Sequence, residues 1–256
     1  MTSVKVHALV SGRDDGPAVV LSNSLGSTHR MWDRQLADLE ARFRVVRYDT
    51  RGHGASPTPP GPYRIDDLAD DLVALLDRLG IDHAHLVGLS LGGMTAMRVA
   101  ARNPERVDRL ALLCTGTALP PASTWLERAE TVRTRGTGAI ACAVVERWFT
   151  AAYRTAHPDV RAGCEAMVAA TPAEGYAGCC EAIAALDLRD DLASIIAPTL
   201  AVAGDRDPAT PVPKLREIAD GVKDGRLAVV PEAAHLANAE QPAIVNSALI
   251  EHLEQS

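Results

Sequence analysis

A serine at position 90 is flanked by glycines two residues before and two residues after it, where an apolar run gives way to a helical pattern. The run His85–Val87 is typical of a short buried strand, and Leu91–Arg102 has the Ala- and Met-rich pattern of a helix. Because Gly88 and Gly92 have no Cβ atom, this strand and helix can pack closely around a strained, exposed serine. The segment therefore predicts a strand, a tight turn and a helix that present a nucleophilic hydroxyl at the carboxyl end of a sheet. An ordinary Gly/Ser turn is the alternative, because a G-x-S-x-G pattern also arises by chance.

Short apolar runs recur along the chain, and from residue 45 onward most of them alternate with helical patterns. The predicted strands are Val4–Val10, Ala18–Ser22, Phe43–Tyr48, His85–Val87, Leu110–Cys114, Thr199–Ala203 and Leu227–Val230. Apolar residues at helical spacing predict helices over Ile65–Leu79, Leu91–Arg102 and Pro242–Leu253. This alternation indicates an α/β fold with a mostly parallel central sheet flanked by helices on both faces. The first two strands are joined by turn residues 12–17 and favour an antiparallel start.

The alternation stops between residues 119 and 196, where helical patterns follow one another without a convincing strand. The sequence predicts helices over Trp125–Arg135, Ala139–Tyr153 and Val160–Ala170. We interpret residues 119–196 as an inserted helical cap, and residues 1–118 and 197–256 as the core that carries it. Such a cap would lie over the carboxyl edge of the sheet, where open α/β folds bind ligands.

Composition and charge exclude several classes of function. The chain has 256 residues, 47% of them hydrophobic, which is enough for a sizeable core. Its 33 acidic and 26 basic residues give a net charge of −7 without a basic run, so we expect no nucleic-acid partner. The apolar runs are too short to cross a bilayer and the first residues do not resemble a signal peptide, so we expect a cytoplasmic protein without a membrane partner. The sequence carries no signal for an oligomeric state.

Metal and cofactor sites are not expected either. The five cysteines have no C-x-x-C spacing, which argues against both a disulfide framework and a structural zinc site. The chain also lacks the H-E-x-x-H and G-x-G-x-x-G patterns that bind zinc and dinucleotides. The expected partner is therefore a small molecule, with chemistry carried by side chains alone.

Two loops that follow predicted strands supply partners for a serine nucleophile. Asp207 lies in an acidic turn after the sixth predicted strand, and His235 lies in the loop after the seventh. A serine hydroxyl needs a base within hydrogen-bond distance, and that base needs an acid to orient it. The chain order Ser90, Asp207, His235, with each residue at the carboxyl end of a strand, predicts a catalytic triad. Asp205 competes with Asp207 for the role of the acid.

A hydrolytic serine also needs two amide groups that stabilise a developing oxyanion. The amide of Leu91 follows the serine directly at the start of the predicted helix. The small-residue loop 22–27 follows the second predicted strand, and we expect it to supply the second amide from Leu25. A polar turn without a catalytic part is the alternative. The turn Arg51–Gly54 is interpreted as bracing neighbouring loops, without a chemical step of its own.

Four segments together resemble the α/β-hydrolase superfamily, namely Ser22–Gly26, Arg47–Ser56, Gly88–Gly93 and Gly204–Asp207. Within it, the chain resembles the 3-oxoadipate enol-lactonase family from Leu21 to the final helix. That narrower resemblance rests on Asn23–Gly26 in place of the commoner His-Gly sequence, and on the cap segments Arg147–Thr150 and Glu174–Cys180. It implies a serine hydrolase that opens a five-membered enol lactone through an acyl-enzyme and requires no cofactor.

The resemblance also implies a small, mostly apolar pocket with a cation for the carboxymethyl arm of the lactone. Trp148 is the candidate for walling the ring, and Arg147 is the candidate for meeting the carboxylate. Adjacent helical residues point about 100° apart, so we expect the two residues not to face the cavity equally, and we favour Trp148. The alternative is that Trp148 and Phe149 only pack the cap onto the core.

Other functions share this arrangement of residues. A general carboxylesterase or a cofactor-free perhydrolase would use the same triad on other acyl compounds. An acyltransferase differs from a hydrolase only in the exclusion of water. A non-catalytic small-molecule receptor is a further alternative, because a fold does not fix a function.

Overall fold

The computed structural model describes residues 3–255, in which the strands form a single seven-stranded sheet. The strands are β1 (Ala8–Gly12), β2 (Ala18–Ser22), β3 (Arg44–Tyr48), β4 (Ala84–Leu89), β5 (Val107–Leu113), β6 (Thr199–Gly204) and β7 (Gly225–Val230). Their order is β1-β3-β2-β4-β5-β6-β7, and each neighbouring pair is parallel except β1 with β3. The mostly parallel sheet confirms the predicted α/β fold class.

Helices cover the sheet and fill the interval between β5 and β6. The α-helices of the described range are α1 (Leu36–Glu40), α2 (Ile65–Arg78), α3 (Leu91–Arg102), α4 (Ala122–Arg135), α5 (Ala141–Trp148), α6 (Ala151–Ala156), α7 (Pro158–Ala169), α8 (Ala173–Ala184), α9 (Val212–Gly221), α10 (Ala237–Glu240) and α11 (Pro242–Leu253). Short 3₁₀ helices span His29–Trp32, Pro104–Arg106, Thr137–Ala139 and Leu192–Ser194. The longest α-helices have 14 residues, and none in residues 3–255 is long and apolar enough to cross a bilayer.

The start of the sheet differs from the sequence-based prediction. β1 begins at Ala8 instead of Val4, and its antiparallel partner is β3 instead of β2. β2 lies in the interior of the sheet, where Val19 pairs with Val45 on one side and with His85 on the other. Because β2 is apolar and almost wholly buried, it is stabilised by neighbours on both edges, whereas the partly exposed β1 suits the edge of the sheet. The predicted antiparallel start was right in direction and wrong in partner.

Between β5 and β6 the helices α4–α8 pack mainly on one another, with α4 against α8 and α7 against α5 and α6. One predicted helix, Ala139–Tyr153, is two helices that are separated at Phe149 and Thr150. Phe149 is extended, and the Thr150 side chain accepts a hydrogen bond from the amide of Tyr153 at 3.2 Å as the N-cap of α6. The Thr150 cap signal was therefore present in the sequence. The exact division into core and cap at residues 119 and 196 stays a prediction.

Candidate active site

Ser90 lies in a sharp turn between the end of β4 and the start of α3. Its backbone has φ 56° and ψ −116°, a conformation that non-glycine residues rarely adopt. The two flanking glycines are required by close backbone approaches. A Cβ atom on Gly92 would lie 2.1 Å from the carbonyl oxygen of Ser22, and one on Gly88 would lie 2.3 Å from the carbonyl oxygen of Gly92. The turn thus brings the start of α3 against the end of β2.

The loop after β7 brings His235 against the loop after β6. Its Nδ1 lies 2.8 Å from Oδ2 of Asp207. Asp207 is also held by its own loop, because the amides of Ala209 and Thr210 donate to Oδ1 and the Thr210 hydroxyl donates to Oδ2 at 2.6 Å. The alternative acid, Asp205, is partly exposed and contacts the amide of Ala233 and the Arg206 guanidinium. Of the two acids, the structure brings Asp207 to the histidine.

The charge of the Asp207 carboxylate is stabilised within the protein. Burial by itself raises the pKa of this carboxyl, but the attraction of His235 and the hydrogen bonds from His235, Thr210 and Ala209 outweigh burial and lower the pKa below its usual value. The carboxylate is therefore ionised at neutral pH. It accepts a hydrogen bond from the protonated Nδ1 of His235, which leaves Nε2 of the imidazole as the free acceptor.

A cavity of about 290 Å³ collects the residues that the sequence placed in different segments. Its lining includes Ser90, His235 and Leu25, together with Trp148 and Arg147 from α5. Leu91 follows Ser90 directly as the first residue of α3 and is fully buried. The volume matches that of a small-molecule site, and the lining is mainly apolar.

The two candidates from α5, Trp148 and Arg147, both line this cavity, although helix geometry favoured Trp148. The helix α5 ends at Trp148, so the cavity is lined by the end of the helix rather than by one of its faces. Trp148 is buried and Arg147 is half-buried. Phe149 lies apart from the cavity, with its ring stacked on Tyr153 at a centroid distance of 5.1 Å. Trp148 is therefore buried and also lines the cavity.

Other lining residues were not singled out from the sequence. Trp125 and Arg128 come from α4, Tyr176 from α8 and Lys214 from α9. The only sequence signal was the spacing of Trp125 and Arg128, which places them one turn apart on one helix face. Their approach to Ser90 depends on the packing of α4 against α8, which no local pattern encodes.

The loop that carries Leu25 is fixed by buried hydrogen bonds. The amide of Gly26 donates to Nε2 of His53 at 3.0 Å, and Nδ1 of His53 donates to the carbonyl of Arg51. Burial lowers the pKa of His53, so the ring is neutral and its Nε2 can accept. The turn Arg51–Gly54 thus braces a neighbouring loop, as interpreted from the sequence. Asn23, on the same loop as Leu25, donates through Nδ2 to the carbonyl of Tyr48 and accepts a hydrogen bond from the indole N–H of Trp32.

One carboxylate links the cap to the loop of His235. Glu240 accepts hydrogen bonds from the amide and hydroxyl of Thr150, at the break between α5 and α6. It also accepts one from the amide of Ala234 at 2.9 Å. In a second link, the amide of Leu236 donates to the carbonyl of Trp148 at 2.8 Å. The end of α5 and the histidine loop are therefore held as one unit.

Two other features of the described residues lie outside this cavity. His7, His29 and Asp49 are close enough to hold a metal ion. However, the Asp49 oxygens already accept from the amide and ring of His29 and from the amide of Ala55, which gives the cluster a structural role. A larger cavity of about 740 Å³ lies against α7, and neither Ser90 nor His235 lines it.

Comparisons with known proteins agree with this fold. A profile of the alpha/beta hydrolase fold matches residues 17–136. The chain is 41% identical to 3-oxoadipate enol-lactonase 2 of Acinetobacter baylyi over 246 residues, which cover 96% of this chain and 92% of that protein. Its fold matches the crystal structure of the enol-lactonase from Burkholderia xenovorans with a TM-score of 0.96, at 40% identity and with 98% and 96% of the two chains covered.

A thermophilic esterase from Thermogutta terrifontis is also similar, with a TM-score of 0.92 at 30% identity over 97% of this chain and 92% of that one. These similarities extend through the core and the helices α4–α8 alike. The chain therefore belongs to the α/β-hydrolase family and, within it, to the hydrolases related to 3-oxoadipate enol-lactonase.

Proposed function

We propose that the protein is a serine hydrolase that opens 3-oxoadipate enol-lactone to 3-oxoadipate, with Ser90 as nucleophile, His235 as base and Asp207 as the orienting acid. The observation that carries the proposal is the 2.8 Å contact between His235 and Asp207 beside a cavity that Ser90 also lines. The relatives named enol-lactonase, at about 40% identity over nearly the whole chain, supply the substrate.

Acylation follows from the proton-transfer capacity of these groups. Nε2 of His235 accepts the hydroxyl proton as Oγ of Ser90 attacks the lactone carbonyl carbon, and Asp207 stabilises the resulting imidazolium. The amides of Leu25 and Leu91 hold the negative charge that develops on the carbonyl oxygen. The positive end of the α3 dipole adds to this stabilisation, because Leu91 is the first residue of the helix.

Collapse of the tetrahedral intermediate breaks the ring carbon–oxygen bond and expels an enol oxygen, which takes the proton from His235. An enolate is a better leaving group than an alkoxide because its charge delocalises onto carbon. The enol, which is still part of the acyl-enzyme, becomes a ketone, and this removes the internal nucleophile that could close the ring again. Water then gives a proton to His235 as it attacks the acyl carbon. Collapse of this second intermediate breaks the bond to Oγ of Ser90, which takes the proton from His235, and 3-oxoadipate is released. Trp148 walls the ring, and Arg147 meets the carboxylate.

The direct test is an assay of the purified protein on 3-oxoadipate enol-lactone, with Ser90→Ala as the matched control. We expect turnover by the wild type and a loss of at least about 10⁴-fold in the variant. Covalent labelling of the wild type by a fluorophosphonate, and not of Ser90→Ala, would exclude a receptor without catalysis. Absence of lactone turnover by folded wild type would reject the substrate.

A carboxylesterase is the second candidate, because the fold is also similar to that of a thermophilic esterase at 30% identity. A panel of aryl esters and lactones separates the two. A dedicated lactonase would turn over the enol-lactone far faster than any ester, whereas an esterase would give uniform modest rates on the esters. Added alcohol, thiol or peroxide acceptors would reveal acyl transfer or perhydrolysis by their products.

A further inference from the structure

The charge of the cavity that Ser90 and His235 line is opposite to that of the whole protein. Its lining holds three cationic side chains, Arg128, Arg147 and Lys214, and no Asp or Glu. The chain as a whole carries a net charge of −7. A concentration of positive charge in a small, mostly apolar cavity is costly unless an anion enters it.

The two arginines have no acidic partner. Within residues 3–255, neither guanidinium lies within ion-pair distance of an Asp or Glu, although most other arginines of the protein form such pairs. Lys214 differs from them, because its ammonium donates to the carbonyl of Ala118 at 3.0 Å. Arg128 and Arg147 are therefore the cations that remain available to a ligand.

Arg128 is positioned by aromatic side chains of the cap. Its Cζ lies 4.7 Å from the centroid of the Trp125 ring, in a cation–π contact within α4. It also interacts with the Tyr176 hydroxyl on α8, which lies close to Arg147 as well. Arg128 is thus held beside Arg147 from two directions, although the two residues belong to different helices.

The nearby positive charge of Arg128 affects the pKa of Arg147. Burial first, and then the positive charge of Arg128, lower the pKa of its guanidinium, and no carboxylate compensates. A guanidinium remains protonated under these conditions. A bound carboxylate would relieve the repulsion and would form charge-assisted hydrogen bonds with both groups.

The geometry points to Arg128 as a second specificity-determining residue of the substrate site, which forms with Arg147 a paired carboxylate clamp for the free end of the acyl chain. The inference rests on the proposed function of this cavity as the substrate site. The cap would hold the far end of the substrate while Ser90 reacts with its carbonyl. In the proposed reaction the acyl-enzyme carries a six-carbon chain with a terminal carboxylate, so a six-carbon diacid is the matched probe.

The test compares mono-p-nitrophenyl adipate with p-nitrophenyl hexanoate, two esters that differ in a terminal carboxylate. We expect the wild type to have at least a 10-fold higher kcat/KM on the adipate ester. Arg128→Met and Arg147→Met should each lower kcat/KM on that ester by about 10- to 100-fold, mainly through KM, and change the hexanoate value less than about 3-fold. Lys at either position should restore part of the preference.

Arg135→Met is the matched control, because Arg135 is an exposed arginine on the same helix α4 and does not line the cavity. It should leave both rates unchanged. Equal losses on the two esters in the cavity variants would indicate a structural role and overturn the inference, as would unchanged selectivity. A second measurement uses wild type alone, in which adipate should inhibit competitively and neutral adipamide should not. Equal inhibition by both would also overturn it.

These results separate the inference from the proposed function. If the wild type prefers the adipate ester but does not open the enol-lactone, the proposed substrate fails and the carboxylate clamp stands. If the wild type opens the enol-lactone and both arginine variants do so at unchanged KM, the clamp fails and the proposed function stands.

Discussion

The Oδ2 atom of Asp207 accepts a hydrogen bond from the Thr210 hydroxyl at 2.6 Å and contacts Nδ1 of His235 at 2.8 Å. The carboxylate is therefore immobilised by its own loop before it orients the imidazole. Because this fixed carboxylate accepts a hydrogen bond from Nδ1, the histidine presents to the cavity the tautomer whose Nε2 is a free acceptor.

Asp207→Asn should lower kcat on the enol-lactone by about 10⁴-fold, because an amide at this position favours the wrong tautomer of His235. Asp205→Asn is the control two residues away, and we expect it to keep kcat within about 3-fold. Steady-state kinetics of both variants decide the matter. Comparable losses in the two variants would show that Asp207 is not the specific orienting acid.

Replacement of Ser90 should separate backbone strain from catalysis. Ser90→Ala and Ser90→Gly both remove the nucleophile, but only glycine adopts φ 56° without strain. The relieved strain of about 1–3 kcal/mol exceeds the backbone entropy that glycine costs, about 0.5–1 kcal/mol, so Ser90→Gly should be the more stable by about 1 kcal/mol. Urea unfolding measures the difference. A more stable alanine variant would show that the turn is unstrained.

Gly92→Ala should destabilise the protein by about 1–3 kcal/mol or more, because its Cβ would lie 2.1 Å from the carbonyl oxygen of Ser22. Lactonase activity should fall too, since the displaced strand end leads into the loop of Leu25. Gly163→Ala provides the contrast, because this glycine lies inside α7 with no atom within 4 Å of the added Cβ. It should raise the free energy of unfolding by about 0.5–1 kcal/mol. Equal effects in thermal unfolding would refute the steric argument.

The stability of the protein should depend on pH through His252. Burial, with the positive charges of Arg109 and Arg226, lowers the pKa of His252 to about 4 from 6.5, and its Nε2 donates to the carbonyl of Leu110. Below pH 6.5 the unfolded chain therefore binds a proton that the folded protein does not bind. Stability is complete above pH 6.5, declines as the pH falls towards 4, and levels off below that.

His252→Gln keeps a donor for Leu110 but removes this titration. The difference in free energy of unfolding between wild type and variant should be constant above pH 7. At pH 4 the free energy of unfolding of the wild type should have fallen by up to about 3 kcal/mol relative to that of the variant. Urea titrations across this range test the prediction, and parallel pH profiles for the two proteins would contradict it.

The sequence predicted the elements that depend on local patterns. Six of the seven strands, the helices α2, α3 and α11 and the glycine-flanked turn at Ser90 follow from apolar periodicity and from residues without a Cβ atom. The positions of Asp207 and His235 after β6 and β7 were also readable, because parallel strands end at one edge of the sheet.

The remaining features depend on long-range packing. In the sheet, β2 lies between β3 and β4. The turn residues between β1 and β2 do not reveal this order. Helix periodicity favoured Trp148 over Arg147 as the residue that faces the cavity. Because the helix ends at Trp148, both residues reach the cavity. Arg128 could not be found because only the contact of α4 with α8 brings it to the site.

The hydrogen bonds of Glu240 to Thr150 and Ala234 also constrain how this fold can be recombined. In a chimaera that takes residues 119–196 from a relative, Glu240 would stay but the residue at position 150 would come from the relative. Unless positions 150 and 240 are exchanged together, the hydroxyl that donates to Glu240 can be lost, and the imported helices would be held less firmly to the loop of His235. The two positions, 90 residues apart, should therefore be transferred as one unit in any engineered lid exchange.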